Sequence, residues 1–472
     1  MNNFKLTKTF KTISLALALT TACAAFSACG TKTNDKNADG QTMISISDWP
    51  DKDGAIKDEA EDKKSKFSKD NPDVAVSGDN WKFDFKSFYA KAAGGQLPTV
   101  YQAHFTEASA IIDAGYSAEI TDELKKRGLD TQFNKQILDI VSKDGKVYAY
   151  PYSAYALGMA YNVDLFKKAG LMEADGTPKQ PKDWNELAEF AVKIKEATGK
   201  PGFVFPTSNN YGGWMFMPIA WSYGVNFMEK EDGKWKAKFD SQEAVDALQY
   251  IKDLKWKYDV LPSNSLIDGT EYYKIFGTNE AGMLLSAADI PNKLASYDFK
   301  PQNLGMFAMP SGPKKHVTLL GGALFVIAPS STEAQVDAGM RWITYSGTTE
   351  LTDAVKEQTV KSIETDLAQN KTVGIIGLSI WDKDTPTVKY NREMREKMSN
   401  INMNQVKLYN DFVADLGDCE LKAEEPVCAQ ELYATLDSCI QEVLVNKDAD
   451  CAALIKKAAA DFQSNYLDNV DY

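Results

Sequence analysis

The sequence predicts an α/β protein built as two lobes. Three observations point there: short β-type runs alternate with helical patterns from Met43 onward, later segments carry apolar residues at helical spacing, and 472 residues exceed one ordinary α/β core. The alternation begins with a strand at 43–47 and a charged helix ending at Lys69. It continues with 74–76 then a helix at 83–93, and 100–102 then a helix at 105–114. Strands separated by helices need crossover connections, and therefore a mostly parallel sheet covered on both faces. Val245, Leu248, Ile251 and Leu254 mark an amphipathic helix within 241–258. Asp183 stands as an N-cap before Trp184, Leu187, Phe190, Val192 and Ile194. Near the C-terminus 432–444 and 452–462 read as helices, and 418–426 reads as a loop.

The N-terminus reads as a secretory signal. Lys5, Lys8 and Lys11 precede an apolar run over 13–26 that is short for a membrane span, and the small residues Ser27 and Ala28 then lead to Cys29. Phe26-Ser27-Ala28-Cys29-Gly30 resembles a bacterial lipoprotein box, with Phe26 where Leu is usual. That resemblance implies a signal peptide over 1–28 and a mature chain whose first residue, Cys29, carries the lipid; Cys23, with Thr20 three residues before it, is the alternative. The stretch 29–42, rich in Asn, Asp, Lys, Thr and Gly, is expected to be a flexible tether, because it has too little apolar surface to order itself. One acyl chain on a spacer holds a globular body at the extracellular face of a membrane without inserting it.

A net charge of −13 and a pI near 4.9 exclude a nucleic-acid reader, which needs clustered Lys and Arg. Four cysteines fall near the C-terminus: Cys419, Cys428, Cys439 and Cys451. Outside the cytosol an even, clustered set favours disulfides, and sequential pairing is the preferred one of three arrangements. No Cys-x-x-Cys unit exists, and His104 and His316 are distant, so zinc is not expected. Asp35-Lys36-Asn37-Ala38-Asp39-Gly40 begins like a calcium loop, but Ile46 stands where a bidentate glutamate is required. In the register set by Gly54, Trp49 would be the first ligand, which it cannot be. No metal and no cofactor are expected.

Enzyme signatures are absent: no G-x-S-x-G elbow, no H-E-x-x-H, no G-x-x-x-x-G-K-[ST], and two histidines in all. A glycosidase needs only two carboxylates, and these are abundant, so a secreted carbohydrate-active enzyme stays as a competing class, beside a binder of some non-sugar solute. The aromatic residues carry more. Trp and Tyr beside Gly, Pro or small polar residues recur in Asp48-Trp49-Pro50, Tyr150-Pro151-Tyr152-Ser153-Ala154-Tyr155 and Asn209-Asn210-Tyr211-Gly212-Gly213-Trp214. An aromatic face covers the C–H face of a sugar ring while nearby amides and carboxylates bind its hydroxyls. Packing is the competing use of any one of them, and Trp184, Trp256 and Trp342, within helical patterns, are assigned to it.

At these residues the chain resembles the extracellular solute-binding proteins of family 1, the maltose-binding-protein-like components of ATP-driven sugar importers. The marks are Gly95-Gln96-Leu97-Pro98-Thr99-Val100, Gly145-Lys146-Val147-Tyr148-Ala149-Tyr150-Pro151, Met159-Ala160-Tyr161-Asn162-Val163-Asp164-Leu165-Phe166, Pro181-Lys182-Asp183-Trp184-Asn185-Glu186-Leu187, and Gly321-Gly322 before an apolar strand. The resemblance implies a type II periplasmic-binding-protein-like clamp: two α/β lobes joined by crossing hinge strands, closing over a ligand. It places lobe 1 at 43–154 plus 306–350 and lobe 2 at 155–305 plus 351–472, with crossings near 154–157, 305–310 and 348–355. It implies a monomer that binds a carbohydrate, performs no chemistry on it, and meets the permease subunits of an importer. Carried over position by position, it implies ligand contacts from Trp49, Thr106, Glu107, Tyr155, Trp214 and Asp289. Tyr155 stands where the maltose binder has a carboxylate and Asp289 where it has a stacking tryptophan, so maltose itself is not the expected ligand.

Overall fold

The computed structural model describes residues 35–470 apart from 346 and 348. The expected signal peptide, the lipid-bearing Cys29 and the first part of the tether lie outside the described residues. The rest of the tether is ordered rather than flexible. Asn37 Oδ1 accepts the N–H groups of Asp39 and Gln41, closing a turn, and Thr332 Oγ1 donates to Asp35 Oδ2. Asp35–Gly40 is thus a hairpin pinned to the body by polar side chains, which compensates for its lack of apolar surface.

Two sheets form the two lobes. The first contains β1 (Thr42–Ile46), β2 (Val74–Gly78), β3 (Val100–His104), β4 (Tyr150–Ala156), β8 (Val317–Ile327) and β9 (Glu420–Ala423). The second contains β5 (Gly158–Asn162), β6 (Met283–Ser286) and β7 (Leu304–Phe307), in the order β6-β5-β7 and antiparallel throughout. In the first sheet β2, β1 and β3 are parallel neighbours with helices Ala55–Asp70 and Phe85–Ala93 between them, as the alternating pattern requires. Strand β8 runs antiparallel to β3 and β4 and parallel to β9. The alternating apolar residues Ile44, Ile46, Val74 and Val76 are buried, as are Val100, Tyr101 and Ala103, so these strands bind the sheet to its helices.

Leu157 alone separates β4 of the first sheet from β5 of the second, so the chain passes directly from one sheet to the other there. It returns between Phe307 and Val317, from the end of β7 to the start of β8. The expected loop at 418–426 contains β9. Four residues, two of them charged, give no readable alternation, and the strand exists because its backbone completes the edge of β8 over Val317–Leu320. The expected placement of all of 351–472 in lobe 2 therefore does not hold for β9, whereas helix Ala429–Val445 packs on helices Tyr211–Tyr223 and Gln242–Trp256 of the second lobe.

Local signals explain the helices. Asp183 Oδ1 accepts the N–H groups of Asn185 and Glu186 at 2.9 Å, opening helix Trp184–Thr198, and Gly199 at φ 71° closes it. Trp184 and Trp342 are core residues, as expected, but Trp256 is 37% exposed and donates Nε1–H to Val443 O at the surface. Gly202 meets the same helix so closely that a Cβ would lie 2.0 Å from Ala191 O. Gly202→Ala is expected to destabilise the protein by about 2–3 kcal/mol, read as a lower urea midpoint at unchanged slope.

All four C-terminal cysteines are free thiols here, so the expected sequential disulfides are not formed. Cys419 turns its sulfur toward the backbone carbonyl of Glu420. Cys439 turns its sulfur toward Leu454 O, and Cys451 toward Gln249 Oε1 at 3.4 Å. Burial pushes the Cys439 thiol up to about 12, which keeps it protonated and unreactive.

Candidate functional site

A cavity of about 1110 Å³ opens at the carboxyl end of β3, beside the two hinge strands β4 and β8. Parallel α/β sheets present ligand sites at that end, because the loops and helix starts that follow the strands converge there. Thr106 and Glu107 reach it from the first turn of helix Phe105–Asp113, which begins directly after His104, the last residue of β3. Tyr155 and Ser153 reach it from β4. The opposite wall comes from the segment between β9 and helix Ala429–Val445, with Glu424, Cys428 and Gln430, and from Asn210 ahead of helix Tyr211–Tyr223.

Two glycines shape the floor. A Cβ at Gly321 would lie 2.0 Å from Tyr155 Cζ, so the ring occupies the space that any larger residue would fill. Gly322 adopts φ +140°, and a Cβ there would lie 2.0 Å from Ser153 O. The pair Gly321-Gly322 therefore lets β4 and β8 meet while the tyrosine lies over them. Burial raises the Tyr155 phenol well above its usual range, with Glu424 and Asp289 adding to the rise, so it remains a neutral hydrogen-bonding group.

The polar wall is acidic. Thr106 Oγ1 donates to Glu424 Oε2, joining the helix after β3 to the segment after β9. Burial, with the Glu424 carboxylate adding repulsion, pushes Glu107 up to about 7. Glu425 is held instead by Trp221 Nε1–H at 2.9 Å and by Lys422 at 3.3 Å. Behind the wall, Asp437 accepts the N–H groups of Asn210 and Gly213, both at 2.7 Å, and so ties helix Ala429–Val445 to the start of helix Tyr211–Tyr223.

The structure brings Thr106, Glu107 and Tyr155 together. Asp289 lines a neighbouring cavity of about 370 Å³ that shares Tyr155 and also holds Asp366, Lys371 and Arg395. Trp49 and Trp214 line neither cavity. Trp49 lies on Gly78, where a Cβ would be 2.2 Å from its Cγ, and donates Nε1–H to Glu61, so it packs against helix Ala55–Asp70. Trp214 stands edge-on to Tyr211 at 5.3 Å and serves packing. Glu424 and Asn210 line the cavity and were not among the expected ligand residues; Glu424 sits in the stretch read as a loop, where nothing in the residue pattern marks it.

The model of the bacterial extracellular solute-binding protein family matches residues 47–351, more than half of the chain. The chain belongs to that family. Among solved structures, this solute-binding protein resembles the cyclic alpha-maltosyl-1,6-maltose binding protein of Arthrobacter globiformis, with a TM-score of 0.63 and 21% identity over 90% of this chain and 100% of that one. It also resembles the UgpB of Mycobacterium tuberculosis in complex with glycerophosphocholine, with a TM-score of 0.60 and 15% identity over 90% and 98%. These likenesses establish the two-lobed fold. The sn-glycerol-3-phosphate-binding periplasmic protein UgpB of Escherichia coli O1:K1 is 27% identical over 219 residues, 44% of this chain and 47% of that protein. The chain thus spans about half the length of the curated relatives it matches.

Proposed function

We propose that this solute-binding protein is the lipid-anchored, extracellular substrate-binding component of an ATP-driven importer, and that it captures a carbohydrate by closing its two lobes. The observation that carries the reading is the cavity itself: Thr106, Glu107 and Tyr155 from the first lobe and hinge face Asn210 and the Glu424–Gln430 segment across one space. A ligand there touches both sides only when the lobes are together, so its binding energy favours the closed form, which the permease subunits would recognise. Tyr155 offers a ring face for a sugar, and Ser153, Asn210 and Gln430 offer hydroxyl and amide partners. Cys29 is the proposed lipid site, and the protein works as a monomer at the outer face of the cell membrane. It turns nothing over.

A phosphate-bearing solute, such as the name of the Escherichia coli relatives carries, suits the larger cavity poorly, since its carboxylates would repel the anion. A thermal-shift screen of mono- and oligosaccharides tests the reading. A binder is expected to gain about 2.7 kcal/mol at a hundredfold excess over Kd, with no product formed. Product formation would place the protein among enzymes, and a stability gain from glycerol phosphates with none from sugars would overturn the carbohydrate assignment.

A further inference from the structure

We infer that the captured carbohydrate is an acidic one, and that its carboxylate sits in the smaller cavity against Arg395 and Lys371. The inference rests on the carbohydrate reading and adds to it an anion-selecting compartment beside Tyr155.

The smaller cavity holds Lys371, just after helix Asp353–Ala368, and Arg395, in the last turn of helix Pro386–Lys397. Both are mostly buried, with side chains 17% and 23% exposed. They flank a single carboxylate at more than hydrogen-bond length: Lys371 Nζ lies 3.6 Å from Asp366 Oδ1, and Arg395 Nη1 lies 3.8 Å from Asp366 Oδ2. Neither cationic group donates a hydrogen bond to a described residue. Burial draws the Arg395 guanidinium below its usual range, with only Asp366 opposing. Asp289, the other carboxylate of the lining, is neutralised by Lys293 at 3.5 Å. The cavity therefore keeps an excess of one positive charge, together with guanidinium donors that no protein acceptor satisfies.

A carboxylate is the group that resolves this arrangement. The planar guanidinium matches its two oxygens, and the neighbouring ammonium adds a further donor. Its single negative charge cancels the excess, whereas a phosphate monoester, carrying close to two negative charges at neutral pH, would be left in repulsion with Asp366. A neutral hydroxyl can accept from one donor and leaves the charge in place. Tyr155 lines both cavities, so a sugar ring can cover it while an exocyclic carboxylate enters the smaller one. Asn391, one helical turn before Arg395 and in the same lining, offers an amide to that group. Carboxylates of the larger cavity, Glu424 and Glu431 among them, repel it, so the contrast in charge fixes which way the ligand lies. A sugar of the uronic acid class unites the ring face with such a carboxylate.

Calorimetry on the mature chain near neutral pH tests this with galacturonate trimers, mannuronate trimers, the methyl esters of both, and glycerol 3-phosphate. The esters keep size and linkage and lose only the charge. At least one acidic trimer is expected to bind about tenfold more tightly than its ester. Arg395→Gln and Lys371→Gln are each expected to abolish most of that preference while leaving the ligand-free protein folded by circular dichroism. Esters bound as tightly as the acids would overturn the inference and leave carbohydrate capture standing. A preference that survives intact in both variants would place the carboxylate elsewhere and overturn the inference as well. Glycerol 3-phosphate bound with no trimer bound would overturn the inference and the carbohydrate reading together. Binding of none of the probes overturns the inference. The comparison of acid with ester in the wild type decides the matter even if a variant fails to fold.

Discussion

Tyr155→Ala is expected to weaken ligand binding by roughly 2–4 kcal/mol, a thirty- to thousandfold rise in Kd, as for a central aromatic anchor in a desolvated pocket. The ring lies over Gly321, lines both cavities, and springs from β4, the strand that leads into the second lobe, so its loss removes contact surface at the point the lobes share. Tyr155→Phe, which keeps the face and loses only the hydroxyl, should recover most of the affinity. Isothermal calorimetry with the tightest sugar from the screen measures both. A Kd for Tyr155→Ala within twofold of the wild type would move the site away from the hinge.

The second large effect concerns stability and pH. Glu107 ordinarily titrates near 4.5, and in the folded protein burial and Glu424 hold it at about 7. Between those values the folded chain keeps a proton that the unfolded chain has released, so the folded state binds more protons and stability falls as pH rises through this window. The sign is opposite to that of a salt-bridged carboxylate. Over the whole window the loss amounts to about 3 kcal/mol, at roughly 1.4 kcal/mol per unit. Glu107→Gln is expected to be as stable as the wild type at pH 4 and more stable by up to that amount at pH 8, with the comparison made from urea unfolding of the ligand-free protein at each pH. Parallel pH profiles for the two proteins would contradict the raised titration of this buried carboxylate.

Much of the frame is legible in the residue pattern. Alternating apolar runs announce β1 to β3 because each strand must bury a face, and Asp183 opens its helix by chemistry that local structure uses directly. Thr106 and Glu107 are expected from the family resemblance alone; the structure places both in the first turn of the helix directly after β3, in the lining of the larger cavity. Trp49 and Trp214 mislead because an indole beside Gly or Pro is equally suited to packing; only the positions of Gly78, Glu61 and Tyr211, distant in sequence or hidden in register, decide which use is made. Glu424 is illegible for a different reason. It gains its place from a four-residue edge strand whose pairing partner, β8, lies a hundred residues earlier, and a backbone pairing of that kind leaves no side-chain signature.

Capture by closure is most directly tested by small-angle X-ray scattering on the mature chain with and without a saturating ligand. Closure predicts a smaller radius of gyration when calorimetry shows the site filled, with Tyr155→Ala unchanged at the same ligand concentration. A filled site whose scattering profile superimposes on that of the empty protein would contradict it.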